Sequence, residues 1–200
     1  MKMIVISNPT DLTAEWKTIN TLFELGLKYF HLRKPDSDIN SVRGFLKRLN
    51  PKYYPYIALH QYHELAAEFG IKRLHFSEQA RRETNTAKVD MYQEKGYRLS
   101  TSIHDLSIIK SLTHFDYAFY GPVFNSLSKP GYQGVLAENF KLELPDRIKI
   151  IALGGITPAN IHAIREMNFD GAAFIGTIWN EPEHAIENFN SLIKYQYFEQ

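Results

Sequence analysis

Eight short runs rich in β-branched and aromatic residues recur along the chain, and the stretches between them carry apolar residues at helix spacing. The runs are MIVIS (3–7), KYFHLR (28–33), YIAL (56–59), KRLHF (72–76), RLSTS (98–102), YAFY (117–120), IKIIAL (148–153) and GAAFI (171–175), each read as a strand. Trp16, Ile19, Leu22 and Phe23 share one face of a helix that Gly26 stops. Val42, Phe45, Leu46 and Leu49 mark a second helix, and Leu65, Ala66 and Phe69 a third, ended by Gly70. Thr157-Pro158 reads as an N-cap with Pro in the first turn, ahead of Ile161, Ile164 and Met167. A last helix starts near Pro182 and carries Ile186, Phe189, Leu192 and Ile193. The polar segment EQARRETNT (78–86) is left unassigned.

Strands that alternate with helices lie parallel and connect by right-handed crossovers. Eight such units in 200 residues predict a single α/β domain over 1–200, a compact (β/α)8 TIM barrel. A doubly wound open sheet is the alternative. Neither a linker nor a shift of composition divides the chain.

Composition narrows the function class. With 23 Lys and Arg against 22 acids, the formal charge is +1, and no basic run offers a footprint for nucleic acid. Cys is absent, which removes disulfides and a thiol nucleophile. The apolar start MKMIVIS is too short for a signal peptide, and no run reaches the ~20 apolar residues of a membrane span. The expectation is a soluble cytoplasmic protein with neither a nucleic-acid nor a membrane partner. Monomer and assembly are both compatible with the pattern.

In a TIM barrel the chemistry sits at the C-terminal strand ends, often with a phosphate site after strands seven and eight. Gly154-Gly155-Ile156-Thr157-Pro158 follows strand seven, and Gly176-Thr177-Ile178 follows strand eight. Glycines let backbone approach an anion closely, so the paired turns favour a phosphorylated small molecule over simple tight turns. Strand two ends His31-Leu32-Arg33-Lys34, and alternation puts His31 and Arg33 on one face, toward the barrel interior or mouth. An inward Arg calls for an anion or a structural carboxylate. His31, His60, His75 and His104 fall at or just beyond consecutive strand ends. They are read as four independent, hydrogen-bonded mouth histidines rather than a metal site, because no inward acid accompanies them. His60 and His63 also lack the spacing of a zinc motif. Finally, GPVFNSLSKPGYQG (121–134) is a long polar loop, and its Asn125, Ser126, Ser128 and Lys129 suit a ligand-holding role.

Together these pieces resemble the thiamine phosphate synthase superfamily, which includes a thiazole tautomerase branch. The likeness rests on HLR in strand two, SIHD at 102–105, YGPVFNSLSK with Gly131 and Gly134, ALGGIT at 152–157 and DGAAFIGTI at 170–178. It implies a barrel that joins a pyrimidine pyrophosphate to a thiazole phosphate with Mg²⁺. Gly155 and Gly176 would then hold the thiazole phosphate, and Ser126 and Ser128 match two Thr positions of the loop. Lys129 and Arg33 match the family's pyrophosphate-binding cations, and Ser102 matches a Ser near that site. His31 and His60 are the further catalytic candidates.

The departures bear on Mg²⁺. The family pattern Gln-x-Arg-x-Lys is His31-x-Arg33-x-Pro35 here, with Lys34 one residue early and facing the other way. His60-Gln61 stands where Asn-Asp is expected, and Ser77-Glu78-Gln79-Ala80 where a second metal-binding Asp is expected. Both departures argue against the cation. The tautomerase branch needs no metal, but its proton-transferring His is Pro122 here. The expectation is a divergent synthase, with tautomerase chemistry or a non-catalytic thiazole-phosphate binder as alternatives. An unrelated phosphosugar isomerase or metal-dependent barrel enzyme is the more distant one.

Overall fold

The computed structural model describes residues 1–124, 140–143 and 148–196. Its eight strands are β1 (Lys2–Ile6), β2 (Phe30–Leu32), β3 (Ile57–Leu59), β4 (Arg73–Phe76), β5 (Arg98–Ile103), β6 (Tyr117–Tyr120), β7 (Lys149–Leu153) and β8 (Gly171–Phe174). They pair in sequence order, all parallel, and β8 closes onto β1. The (β/α)8 barrel is therefore the fold, and the open sheet is excluded.

The helices follow from the apolar stripes. α1 (Glu15–Glu24) buries Ile19, Leu22 and Phe23, and α2 (Ile39–Arg48) buries Val42 and Leu46. α3 (Leu65–Phe69) ends at Gly70, whose φ of 66° is the left-handed conformation that favours glycine. The unassigned segment after β4 forms two helices, α4 (Glu78–Glu83) and α5 (Thr86–Glu94), capped by Ser77 and Asn85. Their caps were visible in the sequence, but α4 buries none of its residues and so carries no apolar period. α6 (Ile161–Glu166) starts three residues later than Thr157-Pro158 suggested. Asn160 Oδ1 accepts from Thr157 N, and that turn takes the place of the expected cap. α7 (Gly176–Trp179) and α8 (Ala185–Ile193) complete the chain after β8. No described helix is long and apolar enough to cross a membrane.

The large apolar core lies between sheet and helices. Inside the barrel a smaller cluster packs Ile4, Ile6, Tyr117, Phe119, Ile151 and Ala173. Parallel barrels usually fill this space with branched apolar side chains. Here the same face also carries His31, His75 and Ser100, all buried. Each, being buried, needs a hydrogen-bond partner.

Candidate active site

A cavity of about 430 Å³ opens at the C-terminal ends of the strands. That is a size suited to a small phosphorylated ligand. Arg33, His60, His75 and Ser102 line it from β2 to β5, and Gly154, Gly155, Gly176 and Thr177 line it from β7 and β8. Gly154 and Gly155 have φ of 102° and 65°. A Cβ on Gly154 would fall 2.9 Å from Pro122, so the turn can pass this close only as glycine. Thr177 Oγ1 donates to Ile156 O and ties the two turns together. Gly155, Gly176, Arg33, Ser102 and His60 thus meet in one cavity. Arg33 forms no ion pair among the described residues, so no described carboxylate accounts for it.

Ser126, Ser128 and Lys129 lie outside the described residues.

The histidines are not independent, which corrects the sequence reading. His31 Nδ1 is 2.8 Å from His60 Nε2, and His31 Nε2 is 2.6 Å from the Tyr117 hydroxyl. His75 Nδ1 and Nε2 each lie 2.9 Å from a hydroxyl, those of Ser100 and Ser102. The His60 and His75 rings stack with centroids 4.0 Å apart. The cause is the parallel register: Leu59 pairs with Leu74, and His75 with Ser100, so inward residues of neighbouring strands share a level. His104 stands apart, its Nδ1 2.7 Å from Glu78 Oε2. Of its two expected places, interior or mouth, His31 takes the interior: it lies beneath His60, buried, and does not line the cavity.

Burial governs the charge of this group. His31 and His60 are held well below the usual histidine pKa by desolvation, and each also feels neighbouring histidines. Desolvation pulls His75 down to about 3, and burial pushes Tyr117 up to about 12. All four are neutral at pH 7, each ring able to accept at one nitrogen and donate from the other.

Acid sensitivity follows. In the unfolded chain these histidines take up protons as pH falls through about 6.5, whereas in the fold they stay neutral to much lower pH. The unfolded state then binds more protons, so stability falls as pH falls, by up to about 1.4 kcal/mol per pH unit for each histidine. Urea midpoints are expected to drop between pH 7 and 5, above the range where carboxylates titrate. A flat profile there would contradict the neutral trio.

Two donor sets border or underlie the cavity, one of oxygen and one of ring nitrogen. For Mg²⁺, Glu78 is the sole carboxylate among the described lining residues, and it is engaged by His104 and by Arg82 at 2.5 Å. The expectation of no inward acid is corrected by Glu78. Gln61 accepts from Lys34 N and donates to Lys34 O, and it does not line the cavity. Lys34 itself turns outward, as its register implied, and pairs with buried Glu15 at 2.5 Å. A hard-oxygen set for Mg²⁺ is therefore not assembled by the described residues. For a softer ion, His31, His60 and His75 offer ring nitrogens within 4.8 Å of one another. Five of their six ring nitrogens already hold hydrogen bonds. An ion would have to displace several of these beside the positive fields of Arg33 and Arg73.

The sequence reading set His75 at the mouth without giving it a catalytic role, and it missed Ser100 and Tyr117. The period-two phase that turned His31 and Arg33 inward would have turned all three inward as well.

A family model for thiamine monophosphate synthase matches residues 3–178. A thiamine phosphate pyrophosphorylase structure from Bacteroides thetaiotaomicron is 25% identical with a TM-score of 0.75, and all of each chain is covered. One from Pyrococcus furiosus is 17% identical with a TM-score of 0.74, over 96% of this chain and 94% of that one. A 3-hexulose-6-phosphate synthase shares the fold at 16% identity and a TM-score of 0.64, over 96% of this chain and 98% of that one. No curated protein sequence matches. With the family match running from β1 into α7, over a closed parallel barrel, the chain belongs to the thiamine monophosphate synthase family.

Proposed function

We propose that this protein binds a phosphorylated thiazole carboxylate and catalyses a metal-independent proton shift on it, the tautomerase-type chemistry of the superfamily. One observation carries this reading: neutral, hydrogen-bonded histidines form the floor of the cavity that the glycine turns and Arg33 also line. Tautomerisation takes a proton from one atom and returns one to another, and a neutral imidazole that accepts at one nitrogen as it releases from the other takes part without acquiring charge. The ligand carries two separated anions. The turns at Gly155 and Gly176 suit the phosphate, and Arg33 suits the carboxylate, since a planar guanidinium pairs with it through two parallel bonds.

A second reading is kept because Arg33 and Ser102 line this cavity at positions that match the synthase's pyrophosphate side. In that reading pyrimidine pyrophosphate condenses with thiazole phosphate. The departing pyrophosphate must then be stabilised by cationic side chains.

The test is to incubate the protein with the thiazole phosphate carboxylate in EDTA and, separately, with pyrimidine pyrophosphate, thiazole phosphate and Mg²⁺. Isomerised thiazole in the first reaction supports the proton shift. Thiamine phosphate in the second, with none in the first, replaces it by the synthase. Tight binding without either product identifies a non-catalytic binder.

A further inference from the structure

From the cavity, two hydrogen-bonded arms run into the barrel and end on the register partners Tyr117 and Ser100. His60, on the cavity floor, bonds to His31, which bonds to Tyr117. Tyr117 is paired in register with Ser100 on the neighbouring strand, and the nearby Ser100 hydroxyl favours its phenolate, while Ser100 Oγ bonds to His75 and, at 3.4 Å, to Leu74 O. Ser100 bonds to His75, and His75 bonds to Ser102, which lines the cavity again. Every member can accept one proton while releasing another. Three of them, His31, Ser100 and Tyr117, lie beneath the cavity without lining it, so they contact no ligand held there. Apolar side chains would fill that space at lower desolvation cost, so packing alone does not explain six linked polar groups.

We infer that His60, His31, Tyr117, Ser100, His75 and Ser102 form a proton relay with both ends in the active site, taking a proton from the substrate at one end and returning one at the other. The inference rests on the proton-shift reading above. In one direction the substrate's proton bonds to His60 Nδ1, and His60 Nε2 releases its proton to His31 Nδ1. His31 Nε2 passes one to Tyr117, Tyr117 to Ser100, and Ser100 to His75 Nδ1. His75 Nε2 then donates to Ser102, whose own proton goes to the second substrate atom. Each group gains one proton and loses one, and the three histidines exchange tautomers. Water entering as product leaves carries one proton back from His60 to Ser102 and restores the starting array. His60 and Ser102 are the catalytic ends. His31, Tyr117, Ser100 and His75 act through them.

Two substitutions cut the path in its middle without touching the cavity: Tyr117→Phe and Ser100→Ala. The first readout needs no turnover. In ¹⁵N-labelled full-length protein at pH 7.5, His60 and His75 are expected to show defined tautomers, and each cut is expected to change both. Unchanged tautomers in both variants would overturn the relay. The second readout is the rate of the proton shift in H₂O/D₂O mixtures. The wild type is expected to show a curved dependence on deuterium fraction, from several protons in flight. Each variant is expected to be at least tenfold slower with a linear dependence and unchanged ligand affinity. Curvature and rate retained by both variants would overturn the relay, and so would one zinc or iron per purified chain bound through these histidines. Coupled tautomers in a wild type that performs no proton shift would reject the catalytic role and the functional reading together, while leaving the hydrogen-bonded path in place.

Discussion

Replacing His60 by Gln lowers the proton-shift rate by about 10²-fold or more, the range expected for loss of a positioned acid–base group. Glutamine keeps much of the size and the hydrogen bonding but cannot exchange one proton for another. Ligand affinity stays within about twofold, because the phosphate and carboxylate meet other residues. His60 is singled out by its geometry. His75 also lines the cavity, but both its nitrogens are held by serine hydroxyls. His60 Nε2 is held by His31, and no described residue bonds its Nδ1. Kinetics at saturating substrate, with affinity measured separately, check the split. A His60→Gln variant with wild-type turnover would remove His60 from the chemistry.

Arg33→Ala is expected to weaken binding of the thiazole phosphate carboxylate by roughly 10- to 100-fold, corresponding to the ~1.5–3 kcal/mol of a hydrogen bond to a charged group. The same variant should bind the thiazole phosphate that lacks the carboxylate almost as the wild type does. Its folding stability should change little, since Arg33 is only partly buried and forms no ion pair among the described residues. Calorimetric titration with the two ligands separates the cases. Equal loss for both would move Arg33 to the phosphate. Equal retention would remove it from ligand binding.

The barrel was legible because its strands are short apolar runs with period-two faces, and its helices bury stripes such as Ile19, Leu22 and Phe23. The segment 78–94 was not, because α4 buries nothing and α5 buries only Val89. The glycine turns and Arg33 were readable from their place at strand ends, a rule of the fold, and Ser102 through the family resemblance alone. The linkage among the histidines was not readable from spacing. It depends on parallel register, which brings together residues as far apart in sequence as His31 and Tyr117. Tyr117 was hidden further by its setting in the apolar run YAFY, where its hydroxyl looked incidental to a core position.

Proton movement in this cavity without a metal is measured most directly by isotope exchange. The protein would be incubated with thiazole phosphate carboxylate in D₂O containing EDTA, and deuterium entering the ligand's carbon positions followed by NMR. Catalysed incorporation by the wild type is expected, falling at least tenfold in His60→Gln. No incorporation by folded, ligand-binding protein, together with Mg²⁺-dependent formation of thiamine phosphate, would contradict it.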